Sequence, residues 1–195
     1  LNANARLPNG QGKNTVQKTV NILRDQKGLK GANIGMGNEK AINQLIAHHS
    51  IVFEPKKLIV WVSTSPWQLG QYVAYDLNKI FALKGMKENK EIADSSLTIA
   101  PDSFLLTPAY KNFEVFRNIK QQMLDGETAN PKTLVASNPE FYNAYLLAGD
   151  YLYKQKEYAA ALQNYNVALT KVIATKKEED HIKEQIKKIN KKLAP

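Results

Sequence analysis

Cysteine is absent from the 195 residues. That excludes a disulfide, a thiolate metal site and a cysteine nucleophile within the chain, and it leaves the redox compartment open. Arginine is scarce: Arg6, Arg24 and Arg117 stand alone, so the net charge of +9 rests almost wholly on lysine. Nucleic-acid-binding faces concentrate arginine and lysine and interleave aromatic residues. Here the lysines are spread along the chain and crowd only after Lys176. That is the pattern of solvated helix faces, and nucleic acid is not an expected partner; non-specific attraction to acidic surfaces at low salt is what the charge predicts. No apolar run approaches the roughly 18–20 residues a membrane-spanning helix needs, so no membrane span is expected.

Other absences narrow the chemistry. The glycine-rich stretch from Gly31 to Gly37 lacks the G-x-x-x-x-G-K-[ST] spacing of a phosphate loop, and no strand signal feeds it. Its glycines predict positive φ or close backbone approach instead. The three histidines are His48, His49 and His181, and no carboxylate pair stands at ligand spacing; neither a metal nor another cofactor is expected. An initiator Met and a signal-peptide pattern are also missing, and the asparagine-rich opening LNANARLPNGQGKN reads as part of a processed or truncated product. No compartment is assigned by the sequence; a secreted or periplasmic parent is compatible with it.

What is present is a chain able to build a core. Apolar residues make up 43% and tyrosines number nine, enough for one ordinary domain or two small ones. The centre of organisation is the stretch 38–81. Within it, 47–54 and 58–64 are rich in Val, Ile, Phe and Trp and predict two strands joined by Pro55-Lys56-Lys57. The run LIVWV is apolar throughout, which predicts a strand covered on both faces. Residues 71–81 alternate and predict a further short strand.

Helical signals flank this unit. Thr15 caps a predicted helix over 15–26, with Val16, Val20 and Leu23 on one face and Gly28 as its stop. Residues 82–96 turn polar and lysine/glutamate-rich, the best domain boundary. Thr107 and Pro108 open a helix to Asp125, closed by Gly126, and 127–132 read as loop. Beyond Asn138-Pro139, helices are predicted over 139–156, 157–175 and 178–193. The last sets Ile182, Ile186, Ile189 and Leu193 in one apolar stripe on a charged helix.

Two resemblances follow from these residues. The helices beyond residue 138 resemble a tetratricopeptide repeat, which over about 34 residues orders a bulky residue, a small one, Gly, Ala, an aromatic and Ala. The matching positions are Tyr145, Ala148, Gly149, Tyr158, Ala161, Tyr165 and Ala168; Ile173 stands where the motif has Pro. The last helix would then cap the open side of the repeat. The stretch HHSIVFEPKKLIVWVSTSPWQLGQYVAYDL resembles the closing segment of the acyl-CoA:6-aminopenicillanic-acid acyltransferase family of N-terminal-nucleophile hydrolases. His49, Ser50, Val52, Pro55, Trp61, Val62, Ser63, Pro66, Tyr72, Val73, Tyr75 and Leu77 carry the likeness.

That resemblance implies a fold and an activity. The family's fold is a four-layered αββα sandwich. Its nucleophile is an N-terminal cysteine, exposed by autoproteolysis, whose α-amino group serves as base in cleaving or transferring amide-linked acyl groups. The nucleophile-bearing first strand would lie upstream of Leu1, so no catalytic residue is expected within this chain.

The expected fold class is therefore α+β: a partial αββα sandwich of helix plus β-hairpin over 1–85, a linker and helix over 86–137, and an all-α tetratricopeptide-like region over 138–195. The implied partner is the upstream part of the same protein, or a neighbouring chain, completing the sheet; the helical tail offers self-association or a protein partner. His48, His49, Ser63, Ser65 and Trp67 are candidates for the wall of an acyl pocket. A Ser50–His–Asp76 set is not expected to work, since adjacent His and Ser cannot hydrogen-bond across one face of a strand. The reading of a different class is a non-catalytic interaction or assembly module built on the helices, with the β-unit as scaffold.

Overall fold

The computed structural model describes residues 14–83, 85 and 91–194. The predicted turn at Pro8-Asn9-Gly10, and part of the polar stretch after residue 83, lie outside them. Among the described residues the chain is α+β: seven α-helices and one three-stranded antiparallel sheet. Helix α1 (Val16–Leu23) is capped by Thr15, whose hydroxyl accepts from the Lys18 N–H. It stops before the predicted residue 26, with Arg24 as its C-cap.

Strands β1 (Ile51–Glu54), β2 (Ile59–Ser63) and β3 (Tyr72–Asp76) form a meander in the order β1-β2-β3. The first strand is shorter than its apolar run suggested, and His48 and His49 sit ahead of it. The predicted strand over 71–81 divides at Asp76. Its carboxylate accepts from the Asn78 and Lys79 N–H groups and starts the short helix α2 (Leu77–Phe81).

Register sorts the sheet into two unlike faces. Val52, Trp61, Ser63, Tyr72 and Ala74 are buried on one side, where Val20 of α1 and the partly buried Val16, Leu23 and Ile99 close over them. Ile51, Phe53, Val60, Val62, Val73 and Tyr75 alternate onto the other. There Ile51 is 48% and Phe53 65% exposed, and the other four are only half-buried. The expectation that β2 is covered on both faces is corrected accordingly: among the described residues, one side of the sheet is apolar and open.

The rest is helical. α3 (Pro108–Leu124) starts on Thr107, whose hydroxyl accepts from Tyr110 N–H. α4 (Pro131–Ser137) begins within the loop expected over 127–132, capped by the Asn130 carboxamide with Pro131 at its first position. α5 (Tyr142–Lys154) and α6 (Tyr158–Thr170) form an antiparallel pair. α7 (Lys176–Leu193) opens with a capping box between Thr175 and Glu178. α3 and α4 pack on each other and on α5. Helices α3, α5 and α7 begin at 108, 142 and 176, an interval of 34 residues each time.

The helical core runs from Phe113 and Phe116 through Tyr142, Ala148 and Tyr165 to Ile182 and Ile189. Small residues let the helices approach. Ala148, Ala161 and Ala168 are fully buried, and a methyl group at Gly149 would come 2.7 Å from Cε1 of Tyr165.

The β-unit is joined to this core through the glycine-rich connection. At Gly35 (φ +81°) a side chain would collide with the Phe141 backbone at 2.4 Å. The Asn138 carboxamide bonds both ways with Met36, accepting from its N–H at 3.0 Å and donating to its carbonyl at 2.8 Å. Asn38 donates to Ile34 O and Val172 O at 3.1 and 2.8 Å. The glycines therefore serve close packing between the two parts.

Candidate functional site

Strand β2 leaves the sheet through a tight bend, residues 64–70, and returns as β3. Thr64 N–H donates to Gln71 O at 2.7 Å and Leu69 N–H to Pro66 O at 2.7 Å, with a cis peptide before Pro66. Trp67 (φ 39°) and Gln68 (φ 69°) are consecutive non-glycine residues in the left-handed region. Each costs on the order of 1–3 kcal/mol, so the surroundings must hold them there, and such residues cluster at functional sites.

Arg24 is the principal support. Only 8% exposed, it donates from Nε to Gln68 O at 3.1 Å and from Nη2 to Gly70 O at 2.7 Å and Ala100 O at 2.8 Å. Asp102 Oδ2 lies 4.0 Å from its Nε, and the guanidinium sits 5.2 Å above the Tyr72 ring. Burial lowers the Arg24 pKa, opposed by the Asp102 and Tyr72 charges; the ordinary value is so high that the group stays cationic. A second support is buried Asn43, whose Nδ2 donates to Trp67 O at 3.1 Å.

The Trp67 indole leaves the β-unit and lies against α3. Its centroid is 6.0 Å from Phe113, edge-on, and 6.3 Å from Tyr110. The Arg117 guanidinium covers its face at 4.3 Å. Next to it, Gln68 Oε1 is buried without a hydrogen-bond partner among the described residues, a costly state for a carboxamide oxygen. The bend therefore combines enforced backbone, an indole held from one side and an acceptor still lacking its donor.

The predicted pocket-wall residues converge only in part. Ser63, at the end of β2, is buried; its Oγ accepts from Ser50 N–H at 2.7 Å, and its own N–H donates to Ser50 O at 2.9 Å. These bonds bring the segment carrying His48 and His49 to the same end of the sheet as the bend. Both imidazoles are exposed, with centroids 6.4 Å apart. Ser65 is exposed on the bend and Trp67 half-buried.

Ser50 makes its short side-chain contact with the Tyr72 hydroxyl. Burial raises the Tyr72 pKa, against the Ser50 hydrogen bond and the Arg24 charge. Asp76 stands at the opposite end of β3, capping α2, so Ser50, the histidines and Asp76 do not assemble. Among the described residues no three His, Asp or Glu side chains could hold a metal ion, and no helix is long and apolar enough to cross a membrane.

Sequence reasoning missed Arg24, Asn43 and Gln68 here. Arg24 and Asn43 donate to backbone carbonyls, which leave no mark in composition or spacing. A different concavity, a groove of about 920 Å³, runs along α4, α5 and α6, lined by Asn130, Val135, Tyr145, Tyr151, Gln155 and Asn164 among others. No family model, curated protein or solved structure matches the chain.

Proposed function

We propose that the chain is the closing part of a cysteine N-terminal-nucleophile amidohydrolase or acyltransferase acting on amide-linked acyl groups, with a tetratricopeptide-like stack appended. The observation that supports it is the asymmetry of the sheet. One face carries α1; the other presents six apolar side chains, two of them, Ile51 and Phe53, 48% and 65% exposed. In an αββα sandwich each sheet carries helices on one side and meets a second sheet, about 10 Å away, on the other. The occupant is that second sheet, from the upstream part of the same polypeptide or from a neighbouring chain.

In this reading the nucleophile comes from outside the chain. A cysteine thiol attacks the amide carbonyl, its proton passing to the cysteine's own α-amino group. The tetrahedral intermediate expels the amine, which takes the proton back from the α-ammonium, and the acyl group of the thioester then passes to water or another amine as the C–S bond breaks and the thiol is restored. This chain supplies the bend and the ends of β1 and β2 as pocket wall, with His48, His49, Ser63, Ser65 and Trp67 as its candidate residues. No cofactor is required. The test is to extend the reading frame upstream of Leu1 and express the complete product. A first strand opening on cysteine, two autoproteolytic fragments by mass and an acyl adduct on that cysteine are expected. A frame without such a cysteine overturns the enzyme assignment.

A second reading, a non-catalytic assembly module, is favoured by the 34-residue interval between helix starts at 108, 142 and 176. That interval, with Gly149 under the Tyr165 ring, matches a tetratricopeptide-like array whose groove along α4–α6 is open to a protein partner. It predicts a monodisperse monomer that does not bind a dye for exposed apolar surface. The sandwich reading predicts dye binding or self-association of the isolated chain.

A further inference from the structure

We infer that the helical region, through Arg117 and Phe113 of α3, positions the 64–70 bend and so sets the shape of the pocket wall. The word pocket rests on the acyltransferase reading above; the positioning itself rests on the contacts alone. The bend is held from two directions. From the β-side, Arg24 and Asn43 fix backbone carbonyls of Trp67, Gln68 and Gly70. They fix the path of the chain and leave the indole unspecified.

On the helical side the indole meets the edge-on Phe113 ring at 6.0 Å and the Arg117 cation at 4.3 Å. Leu69, the next buried residue of the bend, also belongs to the helical core and not to the small sheet core. The side chains of the bend thus report on the helices while its backbone reports on the sheet. Gln68 sits at the junction of the two, with its carboxamide oxygen buried and unpartnered among the described residues. A shift of α3 moves the indole. Arg117 is a positioning residue, and the helical region regulates the pocket without lining it.

A cation over an indole at an exposed site biases an equilibrium by about two- to fivefold. Arg117 is exposed, so its replacement leaves the fold intact. The chain is labelled with fluorotryptophan and its two tryptophan resonances are assigned by Trp67→Phe. Arg117→Ala and Phe113→Leu are expected to shift the Trp67 fluorine resonance and leave that of Trp61 in place. Arg117→Lys, which keeps a cation but not the planar stack, restores part of the shift.

In the complete polypeptide, Arg117→Ala is expected to raise KM for the acyl donor about two- to fivefold with kcat unchanged, the signature of lost binding and not of lost chemistry. A stationary Trp67 resonance overturns the positioning. A moved resonance with unmoved KM shows that the bend does not face the substrate and overturns the regulatory claim. Absence of any acyl transfer in the unmodified complete polypeptide overturns the enzyme reading and the pocket with it, while the fluorine result stands by itself.

Discussion

Replacing Gly149 by alanine sets two effects of opposite sign against each other. In the interior of α5, alanine is the better helix former by about 0.8–1.0 kcal/mol, and this alone would stabilise the chain. The added methyl, however, would lie 2.7, 2.9 and 3.0 Å from Cε1, Cδ1 and Cζ of Tyr165. The ring cannot easily retreat. It is fully buried, and its hydroxyl donates to Asp150 Oδ1 at 2.6 Å. Forcing an extra carbon into a closed core costs about 1–3 kcal/mol, and swinging the ring away breaks a hydrogen bond to a carboxylate worth about 1.5–3 kcal/mol.

The overpacking outweighs the propensity gain, and Gly149→Ala is expected to lose up to about 2 kcal/mol in urea unfolding followed by far-ultraviolet circular dichroism. The decisive comparison is the same substitution in a Tyr165→Leu background. With the ring gone only the propensity gain remains, so alanine there should stabilise by about 1 kcal/mol. Equal responses in the two backgrounds would refute the reasoning: the approach of α5 and α6 would then not be set by glycine meeting an aromatic ring.

Three further outcomes are expected. Arg24→Met leaves three carbonyls without their donor and Asp102 without its cation and should cost about 2–4 kcal/mol, measured by denaturant unfolding with near-ultraviolet dichroism of the tryptophans; Arg24→Lys should recover little, since an ammonium cannot reproduce the guanidinium geometry. Asp94, hydrogen-bonded to Lys79 and Ser96, is held down at about 2 against an ordinary 3.8. Its contribution is therefore present above the ordinary value and lost as pH falls through about 2. Asp94→Asn should flatten the acid limb of a thermal-stability profile over that window. At the alkaline end, burial and the neighbouring carboxylates Glu178 and Asp150 raise Tyr142 and Tyr165 far above the ordinary tyrosine value of 10.0. Their stabilisation is complete below that value and lost as pH rises beyond it, so both should stay un-ionised in absorbance titration until the chain unfolds. On the open sheet face, Phe53→Ser with Tyr75→Ser should lower binding of an apolar-surface dye while changing stability by less than about 1 kcal/mol; a larger loss would mean the face is already covered.

The features legible in the sequence are those whose cause is local. The α5–α6 pair was readable because Ala148, Gly149, Ala161 and Ala168 supply small residues where two helices must cross closely, and the spacing itself carries that need. The strands were readable from their β-branched and aromatic content, but their faces were not. An apolar run cannot distinguish a strand covered on both sides from one open on its second side, and β2 is open on that side among the described residues. Helix α4 was hidden by Asn130 and Pro131, which signal a loop and equally a helix start. The correct choice depends on Leu134 finding the helical core.

The bend shows where the limit lies. Its supports act over long range, with Arg24 reaching carbonyls 44, 46 and 76 residues away, and a carbonyl has no sequence signature. One trace was nevertheless on view. In a chain whose positive charge is almost entirely lysine, two of the three arginines, Arg24 and Arg117, meet the same bend. One needs a planar donor array to reach several carbonyls at once, and the other a flat cation to lie on an indole. Lysine offers neither. Where a sequence spends arginine against its own habit, the geometry of that side chain is being used.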